Sequence, residues 1–183
     1  ERKTLISLLE FLRTLALAVL LVSLFMSFVL RPMQVAGDSM APVLHDGERV
    51  FINVLGGMIS DPQRFDVVVV RQEDELWVKR VIALPGERVC WRDDVLLIDG
   101  EPVAEPFLDE GYMEEVRTTL QRDAFTADME ERTMGADGYL LAGDNRPFSL
   151  DSRNLQVGPF QREDIVANGL LIVWPLNEMR WID

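Results

Sequence analysis

Three short segments hold residues whose types and spacing could do covalent chemistry. Residues 37–42, GDSMAP, set Ser39 directly after Gly37 and Asp38. Residues 76–86, LWVKRVIALPG, place Lys79 inside an apolar run. Residues 143–153, GDNRPFSLDSR, crowd Asp144, Asn145, Arg146, Ser149, Asp151, Ser152 and Arg153 into one turn-rich stretch. A serine hydroxyl is a weak nucleophile and needs a base close by to take its proton. Lysine can be that base only as the neutral amine, so its pKa must fall far below the reference of about 10.4. Burial among apolar neighbours lowers it, and Trp77, Val78, Val81 and Ile82 flank Lys79. Beyond Arg31 the chain uses thirteen arginines and this single lysine. An arginine stays charged at any working pH and could not fill the role.

Taken singly, each segment has a plainer reading. Gly-Asp-Ser is a common turn, a strand lysine can snorkel from an edge, and GDNR could be an ion-paired surface loop. Together they fit one mechanism, and composition removes several rivals. With one cysteine, Cys90, there is no intrachain disulfide and no cysteine-based zinc site. Cys90 sits in RVCWR and reads as a small apolar strand residue. A Ser-His-Asp triad would have to pass through His45, the one histidine, which precedes the turn DGERV and is expected at the surface. The net charge is −13; residues 1–31 contribute +2, so the remainder carries −15. That acidity argues against a nucleic-acid surface.

The elements that must carry these residues fall into two parts. Thr14 to Leu30 is uncharged over seventeen residues, about 26 Å of helix. The preceding LISLLEFL extends it to membrane thickness if Glu10 and Arg13 pair or snorkel. Arg2, Lys3 and Arg13 on one side, against Arg31 on the other, put the N-terminus in the cytoplasm and the body outside. A cleaved signal peptide is the rival; Gln34, third from a cut after Ala36, fits it poorly, and an uncleaved anchor over residues 1–31 is expected. The chain opens on Glu1 rather than Met, and further residues are expected before it. From Pro32 onward, RVFINVL, FDVVVVR, LWVKRVIAL, RVCWR, VLLI, YLLAG and NGLLIVWPL read as strands. Asp93-Asp94 and Asp99-Gly100 mark tight reversals. The fold expected is mostly β, an antiparallel sheet body over 32–183 with one N-terminal transmembrane helix. Residues 109–137, with nine acids, three arginines and little periodicity, read as an inserted, poorly packed loop or flap. Residues 51–59, FINVLGGMI, either dip into a membrane interface or form a buried strand and bulge.

In their order and spacing, GDSM with Pro42, KRV with LPG, and GDNRPFSLDSR behind an anchor resemble the type I signal peptidases, membrane-anchored serine proteases with a Ser/Lys dyad. The likeness runs from the span to about Trp174, apart from residues 109–137. The resemblance implies Ser39 as nucleophile, Lys79 as general base, and Ser149 as the hydroxyl that orients the lysine amine. It implies a bracing salt bridge of Asp151 with Arg153, with Asp144 and Arg80 in the same network. Met40, Leu44, Trp77 and Val78 would line a shallow pocket for small side chains, giving cleavage after Ala-X-Ala. The strand Val35, Ala36, Gly37, Asp38 would pair with extended substrate. Some members carry a serine two residues before the nucleophile, as a second oxyanion donor. Here that residue is Gly37, beside the Ser39 N–H, and a missing donor costs about 100- to 1,000-fold in rate. A variable cap insertion is implied at about residues 103–137. No metal or organic cofactor is implied. The partners implied are signal-peptide-bearing preproteins and the lipid bilayer, for a single-pass monomer in the plasma membrane.

Two other readings compete. A self-cleaving repressor-type Ser/Lys peptidase cuts its own Ala-Gly bond, but Ala36-Gly37 lies only two residues before Ser39, and the span opposes it. A non-catalytic, membrane-anchored binding domain of the same fold would usually have lost the nucleophile or the base, and both are present.

Overall fold

A long apolar stretch free of glycine and proline satisfies its own backbone as a helix. In the computed structural model, which describes residues 2–183 and all their side chains except those of residues 2–5, 27 and 28, that helix is α1 (Arg2–Val29). Its segment Ile6–Met26 has a mean hydropathy of 2.1 and buries nothing against the rest of the chain. The Arg2 and Lys3 charges used for orientation lie outside the described side chains.

The body is built from thirteen strands, every pairing antiparallel. In chain order they are β1 (Leu30–Gln34), β2 (Arg49–Asn53), β3 (Val67–Gln72), β4 (Glu75–Ala83), β5 (Arg88–Arg92), β6 (Val95–Ile98), β7 (Glu101–Val103), β8 (Met129–Thr133), β9 (Gly138–Ala142), β10 (Phe160–Gln161), β11 (Ile165–Asn168), β12 (Leu170–Trp174) and β13 (Arg180–Ile182). They form three sheets, ordered β1-β2-β12-β13, β10-β9-β4-β3-β11 and β7-β6-β5-β8. The middle sheet is covered on both faces, which explains the unbroken Val67–Val70 run. Side chains alternate across a strand: Val67 and Val69 pack with Val50, Ile52, Leu170 and Ile172, while Val68 and Val70 join Val81, Leu141 and Phe160. A third cluster, around Trp91, Leu96 and Ile98, joins the last sheet to the Ile82–Ala83 end of β4. Cys90 is a buried strand residue, as expected. The two acidic reversals are present as well. Asp93, Asp94, Asp99 and Gly100 all have positive φ, the geometry of a two-residue hairpin turn.

Two expectations are corrected. The segment 109–137 is not an irregular flap: it forms the helix Glu110–Leu120 and then β8, which pairs with β5. Asp109 caps that helix by accepting the Tyr112 N–H at 2.6 Å. Asp94 then ties the following turn down, accepting from Phe125 N and Thr126 N and pairing with Arg117. Nor do residues 51–59 continue as strand and bulge. Asn53 caps a short helix, Val54–Ile59, by accepting from Gly56 N at 2.9 Å. Gly57 lets it sit on β11, where an added Cβ would lie 2.7 Å from the Ala167 Cα. These helices are α2 (Val54–Ile59) and α3 (Glu110–Leu120).

Candidate active site

The chain leaves β1 through a turn that begins at Gly37, whose φ of +81° is left-handed. The Gly37 N–H donates to Asp46 Oδ1 at 2.7 Å, and the Asp46 N–H donates to Asp38 Oδ1 at 3.1 Å. From the far side Asn145 clamps the same turn, its backbone N–H on the Ser39 carbonyl at 3.0 Å and its Nδ2 on the Asp38 carbonyl at 2.9 Å. Gly143 permits this approach. An added Cβ there would lie 2.3 Å from both the Ser39 carbonyl oxygen and the Ser149 Oγ. Ser39 is thus held between two segments more than a hundred residues apart.

Lys79 reaches it from the middle sheet. On β4 it stands opposite Val68, with Trp77 and Val81 two residues away on the same face. Its Nζ donates to Ser39 Oγ at 2.7 Å, and the residue is 4% exposed. Burial lowers its pKa from 10.5 to about 8, with Asp151 pulling it upward, Arg153 downward and Asp144 upward again. At pH 7 about one amine in ten is then neutral, against roughly one in three thousand at the ordinary value. The dyad can therefore move a proton near neutral pH. In chemical terms, Ser39 is a hydroxyl with a partly deprotonated amine already hydrogen-bonded to it.

The charged residues of the third segment hold this geometry. Asp151 takes Arg153 Nε and Nη2, both at 2.8 Å, and the Gly143 N–H at 3.0 Å. Burial alone would raise the Asp151 pKa; the hydrogen bonds and charge of Arg153 outweigh it and hold the carboxyl below its ordinary value. Asp144 receives Arg80 through two bonds of 2.8 and 2.7 Å, and Arg80 also donates to the Phe65 carbonyl. The pairing is buried on both sides, so neither ion can be removed without stranding the other.

Several expected residues sit differently. Ser149 Oγ is buried and closes no hydrogen bond of standard geometry, to Lys79 or to the nearby Asp151. Leu44 is fully buried in the same core cluster as Met40 and does not line the cleft. The strand expected at Val35–Asp38 ends earlier, at Gln34. Val35, Ala36, Gly37, Met40, Trp77 and Val78 do line one cleft of about 370 Å³ with Ser39 and Lys79; Asp38 faces away from it. The Gly37 N–H is spent on Asp46, leaving the Ser39 N–H as the unengaged one of the two candidate donors. His45 is exposed, as expected.

Sequence reasoning passed over three features. Leu76 and Leu150 also line the cleft; alternation along β4 does not single out Leu76, and nothing local marks Leu150. Asn145 was visible as a polar residue of GDNR, but its clamp on Asp38 and Ser39 depends on tertiary contact. Arg146 is fully buried and pairs with Glu105, with its guanidinium 5.3 Å from the Trp91 ring. That partner lies forty-one residues away.

Residues 8–174 match the family model described as "Signal peptidase, peptidase S26". Signal peptidase I of Bacillus amyloliquefaciens is 37% identical over 174 residues, covering 94% of this chain and 91% of the relative. Signal peptidase I S of Bacillus subtilis (strain 168) is 37% identical over 177 residues, covering 95% and 93%. A solved signal peptidase I from Enterococcus faecalis shares 30% identity with a TM-score of 0.49, covering 60% of this chain and 97% of that one. With a dyad in place and relatives matching along nearly the whole length, the chain belongs to the signal peptidase family, peptidase S26.

Proposed function

We propose that this chain is a membrane-anchored serine endopeptidase that removes N-terminal signal peptides from exported preproteins, cutting after Ala-X-Ala. The observation that carries the reading is the 2.7 Å contact of a buried Lys79 amine with Ser39 Oγ. Neutral Lys79 takes the hydroxyl proton as Ser39 attacks the carbonyl of the last signal-peptide residue. The resulting ammonium then gives a proton to the departing amine of the mature chain. Water, deprotonated by the same amine, releases the signal peptide from the acyl-enzyme. The Ser39 N–H faces the developing oxyanion. Asp151, Arg153, Asp144 and Arg80 hold the frame.

The cleft beside Ser39 supports the choice of substrate. Met40 and Val78 reach the cleft at only 2% and 9% exposure, a shallow apolar contact that suits a small side chain. β1 is an edge strand whose outer side is unpaired, a place for an extended peptide to add by backbone hydrogen bonds. Residues 1–31 are the anchor and 32–183 the catalytic domain, with the cap at about 103–137. A helix whose side chains from Ile6 to Met26 are all exposed is suited to lipid. Its charges favour a cytoplasmic N-terminus and a catalytic body outside the plasma membrane. Such tethering keeps the site beside substrates held in the same bilayer. The test is to incubate the detergent-solubilised chain with a precursor bearing an Ala-X-Ala site and to sequence the new N-terminus. A product starting directly after the last alanine, absent with Ser39→Ala, supports the reading. A cut elsewhere, or one that survives Ser39→Ala, refutes it.

A further inference from the structure

Ser39 stands between two depressions. The cleft described above lies on the side of residues 35–37. On the other flank a groove of about 550 Å³ is lined by Asp38, Ala41, His45, Tyr112, Asn145 and Phe148. Building on the assignment of Ser39 as nucleophile, we propose that this groove binds the first residues of the mature chain, with the Asn145 Oδ1 accepting a backbone N–H and Tyr112 and Phe148 as side walls.

An endopeptidase must hold chain on both sides of the bond it cuts. The groove takes in Asp38 and Ala41, on either side of Ser39 and Met40 in the chain, and Asn145, which clamps the Ser39 turn. Asn145 is 3% exposed, and its Nδ2 is committed to the Asp38 carbonyl. Its Oδ1 is buried and accepts no hydrogen bond of standard geometry, with the Tyr112 hydroxyl the neighbouring donor. A buried carbonyl left unpaired is costly, and a native structure rarely keeps one without a use. A peptide N–H laid along the groove would complete it.

The cap helix gains a role in this arrangement. α3 buries only Val116, yet it is fixed at both ends by the Asp109 cap and the Arg117–Asp94 pair. Tyr112 also packs edge-on to Phe125 at 6.4 Å. This holds the phenol over the groove, beside Asn145 but outside standard hydrogen-bond geometry. Burial, together with the charges of Asp38 and Glu115, raises the Tyr112 pKa above its ordinary value, so its hydroxyl remains a donor at working pH. Phe148, 57% exposed, lines the same groove and offers an apolar face to it. Asp38 lines the groove, and its charge and that of Glu115 both act on the Tyr112 hydroxyl there, which favours lysine over glutamate at the early mature positions.

The full chain in detergent micelles can be given two kinds of substrate with one signal half: peptides carrying several mature residues, and an ester that ends after the last alanine. Tyr112→Ala and Phe148→Ala should each lower the peptide-to-ester ratio of kcat/KM roughly tenfold. N-methylation of the second or the third mature amide, neither of which is the scissile bond, should lower peptide cleavage about tenfold. Lysine should be preferred to glutamate at the second mature position, less so at high salt. Ratios unmoved by both wall variants, with N-methylated peptides cut as fast as the parent, would overturn the groove while ester cleavage that depends on Ser39 leaves the nucleophile standing. If Ser39→Ala still cuts the ester as the wild type does, the nucleophile is misassigned and the groove falls with it.

Discussion

Lys79 carries a stability cost that can be measured. Its folded pKa is about 8, against an ordinary 10.5, and burial is the main cause. Because the folded value is the lower one, the unfolded chain binds more protons between those two pH values, and stability rises with pH across that window. Below about pH 8 the whole penalty is present, roughly 3 kcal/mol for a difference of this size. By about pH 10.5 it has gone. Replacing Lys79 with methionine removes the charge and keeps much of the volume. It also removes the bond to Ser39 Oγ, which offsets about 1 kcal/mol of the gain. Lys79→Met should therefore be more stable than the wild type by about 2 kcal/mol at pH 7, while losing activity. The assay is urea unfolding in micelles at pH 7 and pH 10, followed by tryptophan fluorescence. A variant less stable than the wild type at pH 7, or a difference that does not shrink by pH 10, would refute the reasoning.

Three further outcomes follow from the geometry. Lys79→Arg keeps a cation but offers no base, so precursor cleavage should fall at least about a thousandfold; activity within tenfold of the wild type would contradict the dyad. Gly143→Ala drives a methyl into the Ser39 carbonyl and Ser149 Oγ, each 2.3 Å away. Its kcat should drop by about a hundredfold with the fold intact by circular dichroism, and an unchanged kcat would show that the Ser39 turn is not positioned there. Finally, α2 lies against α1, with Met58 and Ile59 exposed at 74% and 75%. In vesicles, a photoactivatable lipid should label residues 55–59 as well as α1, and label confined to α1 would show that α2 stays out of the interface.

How much of this was legible in the sequence depended on distance along the chain. Lys79 stood out because a lone lysine in an apolar run is a chemical anomaly, visible without tertiary information, and the structure brings it to 2.7 Å from Ser39. The β body was legible because Val, Ile and aromatic runs bounded by acidic and glycine turns mark strands through local sterics. α3 was missed because its short apolar stripe, Tyr112, Met113, Val116 and Leu120, is half-buried apart from Val116 and is set among acids, and its ends are fixed by an Asp109 cap and by Asp94 in a hairpin turn. α2 was missed because two glycines in six residues disfavour a helix, yet Gly57 is what lets the backbone sit on Ala167. The Arg146–Glu105 pair and the Asn145 clamp join segments far apart in sequence, and no local pattern announces them.

The most direct test of the central claim is the pH dependence of kcat/KM for precursor cleavage, measured from pH 6 to pH 10. If the buried Lys79 amine is the base, the rate should rise tenfold per pH unit at the acid end and level off above its pKa of about 8. At pH 6 it should stand about a hundredfold below the plateau. A profile flat between pH 7 and pH 9, or one that levels off near pH 6.5 and loses that break in His45→Ala, would contradict it.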